Sequence, residues 1–333
     1  MSRKALFKKH SRRPPRSPIV PAAFAEAAAL YQSGRFAEAL ALAEAAAPSS
    51  PQPAQLLNLA AVSAVELGRR DLAEKHWRTA IQIQPGYAEA YNNLGILLQE
   101  LRRFDEAEAA FHQAIALQPG YAEACYNLGN LLSELKCLPE AEAAYRQAIS
   151  FQPRDAEAHN NLGLLFQELK RFEEAEAVCR RAIVLKPWYA EAYDNLGNLL
   201  KERKRFEEAE AAYRQAIALQ PGYVGAQWNL SLLLLSLGRL EEAWPLHEVR
   251  YHPENRERRT YPPSLPFSQW QGESLLGKSI LVYPEQGFGD EIQFARYVSL
   301  FKARGASRVT LACKPPLRPL LQTVAGVDRV VVL

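Results

Sequence analysis

From Ser17 to Glu254 the chain repeats itself every 34 residues. The clearest copies start at Pro85, Pro119, Pro153 and Pro187, and weaker ones start at Ser17, Pro51 and Pro221, so there are seven. A fixed period of this length means a stack of small units, none of which can bury its apolar face alone; each is completed by its neighbours. The array has no single large core, so the length of 333 residues says little about domain count.

Inside one unit, AEAYNNLGILLQEL and FDEAEAAFHQAIAL each carry apolar residues at helical spacing, with the polar turn Arg102–Arg103 between them. The proline opening the next unit ends the second helix, because it has no N–H to donate and its ring clashes with the preceding turn. Each unit therefore reads as a helix–turn–helix hairpin, and seven of them as a mostly α, right-handed helical solenoid. Gly95, Gly129, Gly163 and Gly197 recur in the first helix, where glycine costs about 1 kcal/mol relative to alanine. Together with Ala107, Ala141, Ala175, Ala209 and Ala243 in the second helix they are expected to let paired helices approach closely. Leu94, Leu128, Leu162 and Leu196, with Phe111, Tyr145 and Tyr213, are expected to fill the space between units.

Tyr91, Leu94, Gly95, Ala107, Phe111, Ala114 and Pro119 match the tetratricopeptide pattern position for position, and the resemblance covers about 235 residues. YNNLG and EAEAAYRQAIALQP further resemble the repeats of O-linked N-acetylglucosamine transferases. In such arrays the first helices line a concave groove, so the resemblance implies a protein or peptide partner there. One slot of the first helix reads Asn93, Asn127, Asn161, Asn195 and Asn229 in successive copies. Asparagine is a poor helix former that prefers caps and turns. Its carboxamide can both donate to and accept from a peptide backbone without reading side chains. The transferase resemblance implies just such an asparagine ladder. Asn92, Asn160 and Asp194 adjoin it, Asn130 and Asn198 lie one turn on, and Tyr126 and Trp228 add aromatic surface that could anchor a side chain. Two other readings stand beside binding. The asparagines bond to adjacent repeats and stiffen the stack, or they are copied by duplication alone. Binding alone would leave the thermal midpoint of an Asn127, Asn161, Asn195 triple alanine variant unchanged. The glutamates of the second helices, Glu106, Glu108, Glu140, Glu142, Glu174, Glu176, Glu208 and Glu210, read as a solvated outer face with i,i+4 pairs.

Net charge is +3, yet Arg3, Lys4, Lys8, Lys9, Arg12, Arg13 and Arg16 stand in the first 17 residues with no acid. The rest of the chain holds 33 basic against 37 acidic side chains, so the basicity belongs to a terminal tail (1–16) that reads as disordered. Nucleic acid is accordingly not expected as a partner. No run approaches the ~20 apolar residues of a membrane helix, and Pro21 and Glu26 interrupt the alanine-rich start as a signal-peptide core. The reading is a soluble, cytoplasmic, bacterial protein with no membrane association. Cys125, Cys137, Cys179 and Cys313 have no metal-ligand spacing, so neither a metal nor a cofactor is expected. Cys125 stands in the slot of Tyr91 and Tyr193, and Cys179 in that of Phe111 and Tyr213, as small core substituents.

The array reads as 17–254, with repeats starting at 17, 51, 85, 119, 153, 187 and 221, followed by a proline-rich linker over 255–277. Over 278–333 the period changes: SILVYPE, the loop QGFGD, the amphipathic EIQFARYVSLFKARG, VTLAC, a short helix near 317–324 and VVVL. Strand and helix alternate as in a parallel, Rossmann-like α/β segment. Gly287 and Gly289 permit a tight strand-to-helix turn with Asp290 as N-cap, a candidate anion or cleft loop. The run from Trp270 to Leu321 resembles the opening of a heptosyltransferase-like glycosyltransferase domain. That resemblance implies a sugar nucleotide as ligand only in a longer form, because the sequence stops at Leu333 after about three strands and a full nucleotide-binding half has five or six. The expectation is therefore a non-catalytic scaffold as it stands. The alternative is the substrate-recruiting part of a protein glycosyltransferase.

Overall fold

A computed structural model of the chain describes residues 22–252, 270, 272–284 and 288–333. The basic tail and residues 255–269 and 271 of the 255–277 linker lie outside the described residues. Fourteen helices come first, in pairs: α1 (Ala22–Gln32) with α2 (Phe36–Ala46), α3 (Pro53–Glu66) with α4 (Arg70–Ile83), and α5 (Ala88–Glu100) with α6 (Phe104–Leu117). Then follow α7 (Ala122–Glu134) with α8 (Leu138–Phe151), α9 (Ala156–Glu168) with α10 (Phe172–Leu185), α11 (Ala190–Glu202) with α12 (Phe206–Leu219), and α13 (Val224–Ser236) with α14 (Leu240–His247). The chain divides into two compact units between Pro221 and Gly222.

In the first unit each pair is an antiparallel hairpin, and the second helices α2, α4, α6, α8 and α10 also pack on the first helix of the next repeat. The recurring glycines have the packing role the sequence implies. A Cβ on Gly95, Gly129 or Gly197 would stand 2.5–2.7 Å from the ring of Phe111, Tyr145 or Tyr213, and one on Gly163 would overlap Cys179 Sγ. Cys125 and Cys179 are buried in the slots expected for them, and burial pushes the Cys125 thiol up to about 11 and that of Cys179 up to about 12.

Every turn between paired helices is built alike. The first helix ends in a Schellman arrangement, as in Arg103 N–H to Leu98 C=O at 2.9 Å, so the residue before it takes a left-handed conformation. Three copies place glycine there (Gly34, Gly68 and Gly238, φ 73–78°) and four place a long basic residue: Arg102, Lys136, Lys170 and Lys204, φ 59–64°. A side chain in this region costs about 1–2 kcal/mol. Lys204→Gly is therefore expected to raise stability by about 0.5–1 kcal/mol once the added freedom of the unfolded glycine is allowed for. A lowered midpoint in urea denaturation would contradict this account of the turn.

The second-helix glutamates do not form one solvated face. Arg103 reaches back to Glu74 at 2.8 Å and forward to Glu106 at 2.7 Å; Arg171 joins Glu142 to Glu174, and Arg205 joins Glu176 to Glu208, in the same way. Glu142 and Glu176 are only 13% and 15% exposed, because the arginine of the next repeat covers them. The Arg171 hydrogen bond holds the Glu174 carboxyl below its usual range. Cys137 stands in the arginine slot of its repeat, and Glu108, which that arginine would cover, is 39% exposed beside His112.

In the second unit α13 packs on α14, which is only 8 residues long and contains Pro245. Further along, three strands, β1 (Ser279–Val282), β2 (Arg308–Cys313) and β3 (Arg329–Val332), form a parallel sheet in the order β1-β2-β3. Leu281 lies opposite Thr310, and Leu311 opposite Val330. The amphipathic stretch expected as one helix is two, α15 (Phe288–Ala295) and α16 (Val298–Ala303). Tight bonds mark the break, Tyr297 N–H to Phe294 C=O and Leu300 N–H to Tyr297 C=O, and Ala295 and Val298 on either side of it both enter the core. With a short α17 (Arg318–Leu321), this core holds Val309, Leu311, Cys313 and Leu321. Asp328 ties the layers together, accepting the Val309 N–H and pairing with Lys302, both at 2.6 Å.

Candidate functional site

Successive first helices of the first unit meet directly, α1 with α3, α5 with α7, α7 with α9 and α9 with α11, whereas their second helices approach less. The exposed sides of the first helices thus form one continuous face. Four of them, α5, α7, α9 and α11, carry nine carboxylates and a single basic residue, Lys201. Glu89, Glu123, Glu157 and Glu191 form one column near the helix starts, and Glu100, Glu134, Glu168 and Glu202 another at the ends. Cations from turns and second helices reach some of these: Arg70 to Glu100, Lys136 to Glu168, Lys170 to Glu202 and Lys186 to Glu157. Glu89 and Glu134 are instead held by amide donors, Asn58 and Gln99, each at 3.0 Å. Between α9 and α11 the face dips into a shallow, open hollow lined by Leu164, Gln167, Asn198, Lys201 and Glu202.

The ladder asparagines use their nitrogens inside the array. Asn93 Nδ2 donates to Asn58 Oδ1 at 3.1 Å, Asn127 Nδ2 to Asn92 Oδ1 at 2.9 Å, and Asn195 Nδ2 to Asn160 Oδ1 at 2.9 Å. Asn161 Nδ2, whose neighbour one repeat back is Tyr126, donates to the Tyr126 hydroxyl and to Asn130 Oδ1, both at 2.9 Å. Every bond joins one repeat to the next. The residue one step before the ladder is rotated by about 100° toward the following repeat, so Asn92, Asn160 and Asp194 are buried. Two ladder residues, Asn93 and Asn127, are buried as well, against the expectation of a ladder presented on the face, and only Asn161, Asn195 and Asn229 are half-buried.

The other predicted groove residues are engaged as well. Asn130 and Asn198 accept the hydroxyls of Tyr145 and Tyr213, each at 2.8 Å, from the second helix of their own repeat. Tyr126 is half-buried in this network, and burial pushes its phenol up to about 12. In the second unit Trp228 stacks on His247 at 4.7 Å, and Asn229 is half-buried on α13. Neither aromatic side chain stands clear as an anchor. A triple alanine variant at Asn127, Asn161 and Asn195 would break inter-repeat bonds, so an unchanged thermal midpoint is no longer the expectation.

Asn58 was missed in the sequence. Its Oδ1 accepts from Trp77 Nε1 at 2.8 Å as well as from Asn93, and its Nδ2 reaches Glu89. The signal was available, because Asn58 stands 34 residues before Asn92.

At the QGFGD segment, Gly287 lies outside the described residues. Gly289 and Asp290 fall within the first turn of α15, which starts at Phe288, so Asp290 is not the N-cap. The next residue, Glu291, went unremarked in the sequence. Its carboxylate is 4% exposed, 3.6 Å from Lys314 Nζ, and accepts the Lys314 N–H at 3.4 Å. Among the described residues no helix is long and apolar enough to cross a membrane.

Helical pairs of 34 residues, stacked first helix upon first helix around a small-residue seam, are the geometry of one repeat family. Its models match at residues 88–121 and 154–222 (tetratricopeptide repeat) and at 134–170 (TPR repeat). These are tetratricopeptide repeats. Two solved tetratricopeptide-like folds illustrate the likeness. PilW, described as a type IV pilus biogenesis factor, covers 62% of this chain with 96% of its own at a TM-score of 0.57 and 18% identity. PilF of Pseudomonas aeruginosa covers 62% with 94% of its own at 0.55 and 20% identity. At these identities the likeness is one of fold. FlbA of Caulobacter vibrioides is 30% identical over 82 residues, 24% of this chain; the chain spans only 13% of that relative's length.

Proposed function

We propose that the tetratricopeptide array is an interaction scaffold whose first-helix face is a concave groove for extended protein segments. The observation that carries this reading is the face itself: side chains of one type recur every 34 residues along α5 to α11, and the face dips into an open hollow between α9 and α11. A surface periodic along the array suits a partner that is periodic too, and an extended peptide backbone is one. The ladder takes part through its oxygens. The array uses the nitrogens of Asn93, Asn127 and Asn195; Asn93 and Asn127 are buried, so the half-buried Asn195 is the one of the three whose carboxamide oxygen accepts an N–H group from a bound backbone in this reading.

Displayed random 12-residue peptides selected on the full chain test this, with affinities read by fluorescence anisotropy. Leu164→Arg, which fills the hollow without touching an inter-repeat hydrogen bond, is expected to weaken selected peptides at least tenfold at an unchanged thermal midpoint. Peptides that bind Leu164→Arg as well as the parent chain would refute the groove.

The second reading, recruitment of substrates to a glycosyltransferase, is favoured by the sheet. Three parallel strands in the order β1-β2-β3 joined by helices are what one half of a Rossmann-like domain begins with. Under this reading the groove holds the acceptor protein, and a sugar nucleotide is a ligand of a longer form only.

A further inference from the structure

We propose that the acidic first-helix face of α5 to α11 is occupied by the chain's own basic N-terminal segment, residues 2–17, bound in cis. This rests on the groove reading above and names the groove's resident. Charge is the first argument. Of the nine carboxylates on the four helices Asp194 is buried and Glu100, Glu157, Glu168 and Glu202 pair with cations from turns and second helices, whereas the exposed Glu89 and Glu134 are held by neutral amides rather than by cations. Residues 2–17 carry seven arginines and lysines and no acid. The basic residues are spaced along the segment as Arg3–Lys4, Lys8–Lys9, Arg12–Arg13 and Arg16, so a chain laid along two carboxylate columns brings charge to more than one repeat.

Length is the second argument. The segment precedes α1, which starts at Ala22, so 21 residues lead into the array from its first-repeat end. Fully extended they span at most about 70 Å. Packed helices lie about 8–10 Å apart, so the three repeat steps from α1 to α7 amount to roughly 30 Å. The five steps from α1 to α11 amount to about 50 Å, so residues 2–17 reach the face of α5 to α11 without straining the connection. Tethering sets their effective concentration in the millimolar range, so a weak segment suffices to fill the groove.

The test uses the full chain and a full-length variant in which Arg3, Lys4, Lys8, Lys9, Arg12, Arg13 and Arg16 are all changed to Gln. The probe is a fluorescein-labelled peptide of residues 2–17. It is expected to bind the tail-neutral variant at least tenfold more tightly than the parent chain, and to weaken as salt rises from 0.05 to 0.5 M. Glu89→Gln, Glu134→Gln and Glu191→Gln together, built into the tail-neutral variant, should reduce that affinity at least fivefold with the thermal midpoint unchanged. Equal affinity for parent and tail-neutral chains would overturn the proposal, as would an affinity indifferent to the three glutamates. A parent chain that dimerises with concentration in sedimentation, while the tail-neutral variant stays monomeric, would overturn the cis arrangement in favour of a second copy. If random uncharged peptides still bind the tail-neutral chain but the 2–17 peptide does not, the groove reading stands and the tail proposal falls. If neither binds, both fall.

Discussion

Asn58→Ala is expected to destabilise the first unit by about 3 kcal/mol, well beyond any single ladder asparagine. Three hydrogen bonds converge on this carboxamide, from Trp77 Nε1, from Asn93 Nδ2 and to Glu89. Each neutral bond contributes about 1 kcal/mol net, and a buried donor left unpaired costs its full desolvation. Trp77 is fully buried, so its indole N–H has no water to turn to. Asn127→Ala removes one bond, to Asn92, and should cost about 1 kcal/mol. Asn161→Ala removes the two donated by its nitrogen, to Tyr126 and Asn130, and should fall between. Because an array of repeats need not unfold in one step, amide hydrogen exchange is the suitable measurement. Protection should fall in α3 to α5 for Asn58→Ala and in α5 to α7 for Asn127→Ala. Three equal and negligible effects would show that the asparagines do not stiffen the stack.

The repeat made the helical pairs and their small-residue seam readable from the sequence, because glycine and proline have few structural meanings at fixed spacing. Gly95 and Gly197 could be assigned to close helix approach from their recurrence at one slot of the repeat, and the short approaches to the Phe111 and Tyr213 rings agree. The asparagines were less transparent. A carboxamide at one slot and another at the slot before it are compatible with facing a ligand or with facing each other across 35 residues, and periodicity is identical in the two cases. Only the rotation between adjacent slots decides it, and that depends on how consecutive repeats are stacked. The same holds for the glutamates: Glu142 and Glu108 share a slot, yet one is covered and the other half-exposed, because the covering group, Arg171 or Cys137, comes from the next repeat. In the C-terminal segment the strands were legible from β-branched runs. The break after Ala295 was not, because nothing in EIQFARYVSLFKARG interrupts helical spacing: Ala295 and Val298, three apart, share a face in one unbroken helix as they share the core here.

Gly197→Ala should cost about 2–3 kcal/mol, at the upper end of what one extra methyl does to a packed interior. The added Cβ would stand 2.5 Å from Tyr213 Cε1 and 2.6 Å from Cδ1, inside any real carbon–carbon contact. The ring cannot swing aside cheaply. It is fully buried, and its hydroxyl is fixed by Asn198 Oδ1 at 2.8 Å, so movement trades the clash for a lost hydrogen bond. Gly95→Ala provides the internal comparison. There the opposing ring is Phe111, with no hydroxyl to hold it, and the contact is slightly longer at 2.7 Å. The helix-propensity gain from removing glycine, about 1 kcal/mol, is the same in both. Gly95→Ala should therefore be the milder change by about 1 kcal/mol, the net contribution of one hydrogen bond. Adding Tyr213→Phe to Gly197→Ala should narrow the gap between the two sites, since it frees the ring to move. Urea denaturation of the three variants beside the parent chain measures this directly. Equal losses at Gly95 and Gly197 would mean that the Tyr213–Asn198 bond does not restrain the ring, and that the seam yields by helix displacement instead.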